Sequence, residues 1–183
     1  IDPPAASSPP PSGYASYRVT VDGGPPTTVA AAGKDESASF NLEALGEGRH
    51  VLAVTAVTGA GIVTESLLAS SGVIEKDVVA PQLAVSGAPA HDAFVTTPVT
   101  LTLRGSDETS GMAAAVSPAP VASGGYIAVQ LDHGSEQMTG GAFAQISPGE
   151  GQHVVQSYAS DVAGNRSALQ SISYTQDTKQ PSG

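Results

Sequence analysis

The sequence predicts an all-β protein built as two tandem antiparallel β-sandwiches, and three observations carry that prediction. Val and Ile far outnumber Leu, and with Thr, 21 Gly and 14 Pro in 183 residues they give the balance of short strands joined by turns. Apolar and polar residues alternate in several short runs, the period of a half-buried strand. A block of the first half also recurs, in order, in the second.

Pro-rich residues 1–13 form a linker or loop, because Pro brings no amide donor to a helix or a central strand. From Tyr14 the pattern is strand-like: Tyr17, Val19 and Val21 alternate with Arg18, Thr20 and Asp22, and Asp22-Gly23-Gly24 is the exit turn. Thr27 to Ala31, then Phe40, Leu42 and Leu45, continue the meander around a polar tip at residues 33–36. Gly46-Glu47-Gly48 turns the chain into a strand from Val51 to Val57, and a further strand runs from Ile62 toward Leu68 or Ile74.

The second half repeats this plan. Gly46-Glu47-Gly48-Arg49-His50-Val51 returns as Gly149-Glu150-Gly151-Gln152-His153-Val154, and Tyr17 to Asp22 resembles Tyr126 to Asp132 with one extra residue. Asp77-Val78-Val79-Ala80-Pro81 opens the second unit, and Asp177-Thr178-Lys179-Gln180-Pro181 repeats that boundary. The expected organisation is therefore a linker at 1–13, unit 1 at 14–76, unit 2 at 77–176, and the start of a linker to a further domain at 177–183. Val99, Leu101 and Leu103 form an early strand of unit 2 without counterpart in unit 1, which reads as a unit short of its opening strands. A sheet so shortened exposes an edge or borrows a strand.

Composition limits function. With 17 acidic against 7 basic residues, the net charge of −10 repels nucleic acid phosphates. No run of eighteen apolar residues exists, so no helical membrane insertion is expected. The absence of Cys excludes a disulfide framework and a thiolate metal site. Ile1-Asp2-Pro3-Pro4 lacks the basic and apolar regions of a signal peptide, so a leader has been removed or the segment is internal. Few Lys and Arg with many Ser, Thr and Gly tilt the reading toward a secreted or surface location.

The candidate chemistry is sparse. His50 and His153 occur once per repeat, directly after a turn, and read as corner side chains that bond backbone rather than as catalysts. Asp107, Glu108, Asp161 and Asn165 offer oxygen ligands to calcium if their two loops share one end of a sandwich. The competing role is turn formation, since Asp and Asn bond nearby backbone amides with no metal. Asp77 and Asp177 are further candidates, for an interdomain ion. Glu47 and Glu150 lie between glycines and read as solvated turn residues. Tyr14 and Phe94 are the aromatics nearest to loops or strand ends, a thin basis for sugar stacking. Asn165-Arg166-Ser167 has the form of a glycosylation acceptor. Neither a nucleophile elbow, an H-E-x-x-H pair, a P-loop nor a dinucleotide fingerprint occurs, so no catalytic residue and no cofactor beyond the calcium candidate is assigned.

The opening at Asp77 to Pro81, Asp107 with Ser110-Gly111, the Asp132 turn, Gly149 to His153, and Ala159-Ser160-Asp161-Val162-Ala163-Gly164-Asn165-Arg166-Ser167 resemble the bacterial immunoglobulin-like and fibronectin type III-like modules of surface and secreted proteins. The resemblance covers residues 77–183 and is weaker over 1–76, where Thr58 and Ile62 stand at the positions of Asp161 and Asn165. It implies immunoglobulin-like two-sheet sandwiches serving as an extracellular or cell-surface spacer, an adhesin repeat, or an accessory module beside a catalytic domain. The implied partners are neighbouring domains of the same polypeptide, with a surface protein or glycan under the adhesive reading.

Overall fold

The computed structural model describes residues 10–32, 37–63, 72–117 and 119–180. It divides into two compact units, Ile1–Lys76 and Asp77–Gly183. Among the described residues no helix is long and apolar enough to cross a membrane.

Unit 1 is a four-stranded sheet. Its strands are β1 (Tyr14–Val21), β2 (Thr27–Ala30), β3 (Gly48–Thr58) and β4 (Val73–Lys76), in the spatial order β2-β1-β3-β4. All three pairings are antiparallel. The alternation read from the sequence decides which face is buried: Tyr17 and Val19 from β1 meet Val54 and Ala56 from β3, with Ala38 beside them. Phe40, expected in a strand, packs on this cluster from a segment with no strand pairing. The strand expected from Ile62 is represented by one bridge, Val57 to Val63, and by β4. The polar tip at 33–36 and the course of 64–71 lie outside the described residues.

Unit 2 has two sheets. One holds β5 (Gln82–Ser86), β7 (Leu101–Ser106) and β10 (Phe143–Ile146), in the order β10-β7-β5. The other holds β6 (Ala93–Val95), β8 (Tyr126–Leu131), β9 (Gln137–Gly140), β11 (Gly151–Ser160) and β12 (Gln170–Gln176), in the order β6-β12-β11-β8-β9. Consecutive β5 and β6 belong to opposite sheets, and β6 joins β12 in the one parallel pairing among the described strands. This sheet arrangement is that of an immunoglobulin-like, fibronectin type III-like sandwich. Leu101 and Leu103 of β7 face Ile127, Val155, Ala159 and Tyr174 of the other sheet. Gly105 leaves the space that Met112 fills, since a β-carbon there would stand 2.7 Å from the Met112 Cε.

The two units share one strand plan, now with an exact register. Tyr17 pairs with Ala56 and Ile127 pairs with Ala159, so Tyr17 corresponds to Ile127 and not to Tyr126. The extra residue disappears once Asp22 and Asp132 are superposed. By the same register, β1 to β4 of unit 1 match β8, β9, β11 and β12. Among the described residues unit 1 has no sheet corresponding to β10-β7-β5.

Candidate functional site

Three polar constellations organise the loops. The first occurs once per unit and rests on a turn of unusual backbone. Asp22 and Gly23 have φ of 52° and 71°, and Asp132 and His133 have 50° and 59°. Two successive positive φ values, closed by Gly24 N–H to Val21 O and Gly134 N–H to Leu131 O at 2.8 Å, are the pattern of a type I′ turn. Asp is among the few residues other than Gly that tolerate this region. The turn aims each carboxylate at the neighbouring strand. Asp22 Oδ1 accepts the Val51 amide at 2.8 Å and Oδ2 lies 2.7 Å from His50 Nδ1. Asp132 accepts the Val154 amide at 2.8 Å and lies 2.9 Å from His153 Nδ1. The second ring nitrogen, Nε2, faces the Gly46 carbonyl at 3.1 Å in unit 1 and the Gly149 carbonyl at 3.2 Å in unit 2.

His50 and His153 therefore stand at the corner and bond backbone, with a carboxylate partner that the sequence reading had placed only in a turn. Hydrogen bonding to Asp22, then to the Gly46 carbonyl, raises the His50 pKa, and the same contact lowers that of Asp22. Burial pushes Asp132 upward, but the Val154 amide and the His153 ring outweigh it and hold the carboxyl below its ordinary value. The two His belong to separate units, and each is consumed by its own turn.

The second constellation is the set of carboxylates considered for calcium. Asp107 follows β7, Asp161 follows β11, and Asp77 opens the unit; one ligand atom from each lies within 4.8 Å of the others. Two ligands of one calcium ion at about 2.4 Å can stand no farther apart than that, so the spacing and the hard oxygen donors fit such an ion. Backbone amides also converge on these groups. Asp107 Oδ1 accepts from Thr109 and Gly111 at 3.0 and 2.9 Å, Asp77 Oδ2 from Ser110 at 3.1 Å, and Asp161 Oδ1 from Asn165 at 2.8 Å. Asp161 is 1 % exposed. Turn formation and any cation held there would draw on the same three carboxylates.

The sequence candidates separate here. Asp107 and Asp161 come together with Asp77. Asn165 stands beside them as a donor: its Nδ2 points at Asp161 Oδ2, 3.0 Å away, and at the Asp77 carbonyl, 3.3 Å away. Both neighbours are acceptors, which fixes the amide orientation. Asp177 is held elsewhere, its amide donating to the carbonyl of Val95, the last residue of β6. Glu108 is not among the clustered carboxylates. In unit 1, Thr58 Oγ1 accepts the Ile62 amide at 3.1 Å, the turn-forming half of the Asp161 role without the charge.

The third constellation has no signature in the sequence. Ser173 of β12 lies beside His91 and Asp92, with its hydroxyl 3.3 Å from His91 Nε2 and 2.5 Å from Asp92 Oδ1. His91 Nδ1 is 2.9 Å from Asp92 Oδ2. These are the residue types of a nucleophilic triad, but the hydroxyl proton goes to the carboxylate and not to the ring. The two side chains are 73 % and 72 % exposed, so water competes for every contact. Hydrogen bonding from Ser173 holds the Asp92 carboxyl below its ordinary value. No signal short of the β6–β12 pairing joins residues about eighty positions apart.

Aromatic groups form one further cluster on unit 2. The Arg166 guanidinium lies 4.9 Å from the centre of the Tyr158 ring, and Tyr158 donates to Glu136 at 2.9 Å. Phe94, on the β6 edge, is 83 % exposed. A groove of about 400 Å³ opens between β9 and β10, lined by Val129, Leu131, Ala144 and Ile146 among others.

No protein-family model matches the chain, and no curated protein matches it. Among solved structures the chain is similar to the fibronectin(III)-like modules of CbhA from Clostridium thermocellum, at 12 % identity and a TM-score of 0.45, over 97 % of this chain and 86 % of that one.

Proposed function

We propose that this chain is a non-enzymatic structural module: two consecutive immunoglobulin-like units of a bacterial surface or secreted protein, spacing its neighbouring domains. The observation that carries this reading is the duplicated His–Asp turn. The residues best suited to acid–base chemistry are spent, at matched positions in both units, on fastening a hairpin to the strand beside it. The carboxylate cluster extends the same logic to the opening residue of unit 2, and calcium is the cation its donor set would take. Cations there would stiffen loops rather than activate a substrate.

A second reading, an adhesive or carbohydrate-binding accessory module, draws on the β9–β10 groove and on exposed Phe94. A binding screen of the whole chain against insoluble polysaccharides, a glycan array and surface-protein extracts separates the two. The spacer reading expects no saturable signal. Saturable binding that is lost on Phe94→Ala, or on Leu131→Asp in the groove, would replace it with the adhesive one.

A further inference from the structure

We propose that His50 is a pH-sensitive pin in unit 1, which fastens the Asp22 turn to the Gly46 turn when its ring carries both protons and loosens when one is lost. The geometry is one of proton counting. Nδ1 faces a carboxylate oxygen at 2.7 Å and Nε2 faces a carbonyl oxygen at 3.1 Å. Neither oxygen can donate. A neutral imidazole has one N–H and leaves one of the two contacts without a proton, whereas the imidazolium serves both. Both turns then hang on one ring, together with two contacts between Asp22 and Val51: the Asp22 N–H donates to the Val51 carbonyl and the Val51 N–H to Asp22 Oδ1, each at 2.8 Å. His153 repeats the same contacts in unit 2, so the arrangement is a built feature of the strand plan.

The charged groups acting on His50 come from two elements, and a third segment carries carboxylates nearby in sequence. The turn after β1 supplies Asp22. From β4 comes Lys76, whose ammonium is anchored on the Glu43 and Leu45 carbonyls at 2.8 and 2.7 Å and opposes the protonated ring. The preceding segment carries Glu43, held by the Asn41 amide at 3.0 Å, and Glu47, next to the accepting Gly46. Asp22 outweighs Lys76, and the ring's affinity for its second proton is raised. A raised folded-state value means that the stabilisation is complete below the ordinary His range and disappears as pH rises through the folded value. The depressed Asp22 value places its own loss in acid, below the ordinary carboxylate range. The pin is therefore tightest on the mildly acidic side of neutrality and slackens toward alkaline pH.

The test is an NMR titration of the whole chain, reading the His50 ring protons and the exchange protection of the Asp22 and Val51 amides after correction for base catalysis. The expected result is a His50 midpoint above that of a free His, with protection falling severalfold across that midpoint. Asp22→Asn should lower the midpoint toward or below the ordinary value. His50→Gln keeps a neutral donor at all pH and should fold with protection that no longer depends on pH in this range. A His50 midpoint at or below the ordinary value, or protection equally pH-independent in the unaltered chain and in H50Q, would overturn the proposal.

Discussion

The Asp132 carboxylate grips two successive residues of β11 at once, the His153 ring at 2.9 Å and the Val154 amide at 2.8 Å. Asp132→Asn keeps an acceptor for the amide and a residue tolerant of the turn's positive φ, and loses the charge that faces the ring. It should cost about 1 kcal/mol. Asp132→Ala also strips the amide of its partner and strains the turn, and should cost about 2–3 kcal/mol. Urea unfolding of the whole chain measures both, and equal costs would show that the acceptor for the Val154 amide and the turn's backbone preference contribute nothing beyond the charge.

Acid should weaken the fold in a defined direction. The His50 ring and the Val51 amide lower the Asp22 pKa, the Ser173 hydroxyl lowers that of Asp92, and the Thr178 hydroxyl and amide lower that of Glu150. Each contributes stability that is complete above the ordinary carboxylate range, about pH 4, and is lost as pH falls through the depressed folded value. The melting temperature should therefore decline below about pH 4. A flat profile down to pH 2.5 would contradict the assigned contacts.

Asp107→Asn separates the two uses of the carboxylate cluster. Asn retains an oxygen for the Thr109 and Gly111 amides but removes one of three charges lying within 4.8 Å. At that spacing each like-charge pair opposes folding, by about 1 kcal/mol in bulk water and more where water is excluded. The variant should be more stable than the parent in chelator, and under the calcium reading millimolar calcium should raise the melting temperature of the parent and not that of the variant. An unaltered parent midpoint in calcium and in chelator would leave the carboxylates as turn formers alone.

Tyr174 presents a different opportunity. Its ring is 1 % exposed, and its hydroxyl, among the described residues, has no hydrogen-bond partner. Burial raises its pKa, with the Asp132 charge acting in the same direction. Tyr174→Phe removes a desolvated donor while preserving the ring's packing near His153, 5.6 Å between centres. It should stabilise unit 2 by about 1 kcal/mol, read as a shift in the denaturation midpoint. A loss of stability would reveal a partner for the hydroxyl.

The sequence by itself determined the all-β class, the repeated Gly-Glu-Gly-x-His corner, and the apolar faces of the strands, because these are local properties. Alternation of period two in β1, β7 and β11 decides which side chains turn inward whatever the partner strand is. It also brought Asp107 and Asp161 forward as residues able to share a site. It could not pair Asp22 with His50 or Asp132 with His153, since those contacts depend on strand register and on the positive φ of a turn residue. Only the tertiary structure set Asp77 beside Asp107 and Asp161, turned the Asn165 amide into a donor, and sent Asp177 elsewhere. Ser173 and His91 met for the same reason: β6 lies parallel to β12, and such a neighbour across some eighty residues is chosen by the burial of whole sheets rather than by any local pattern.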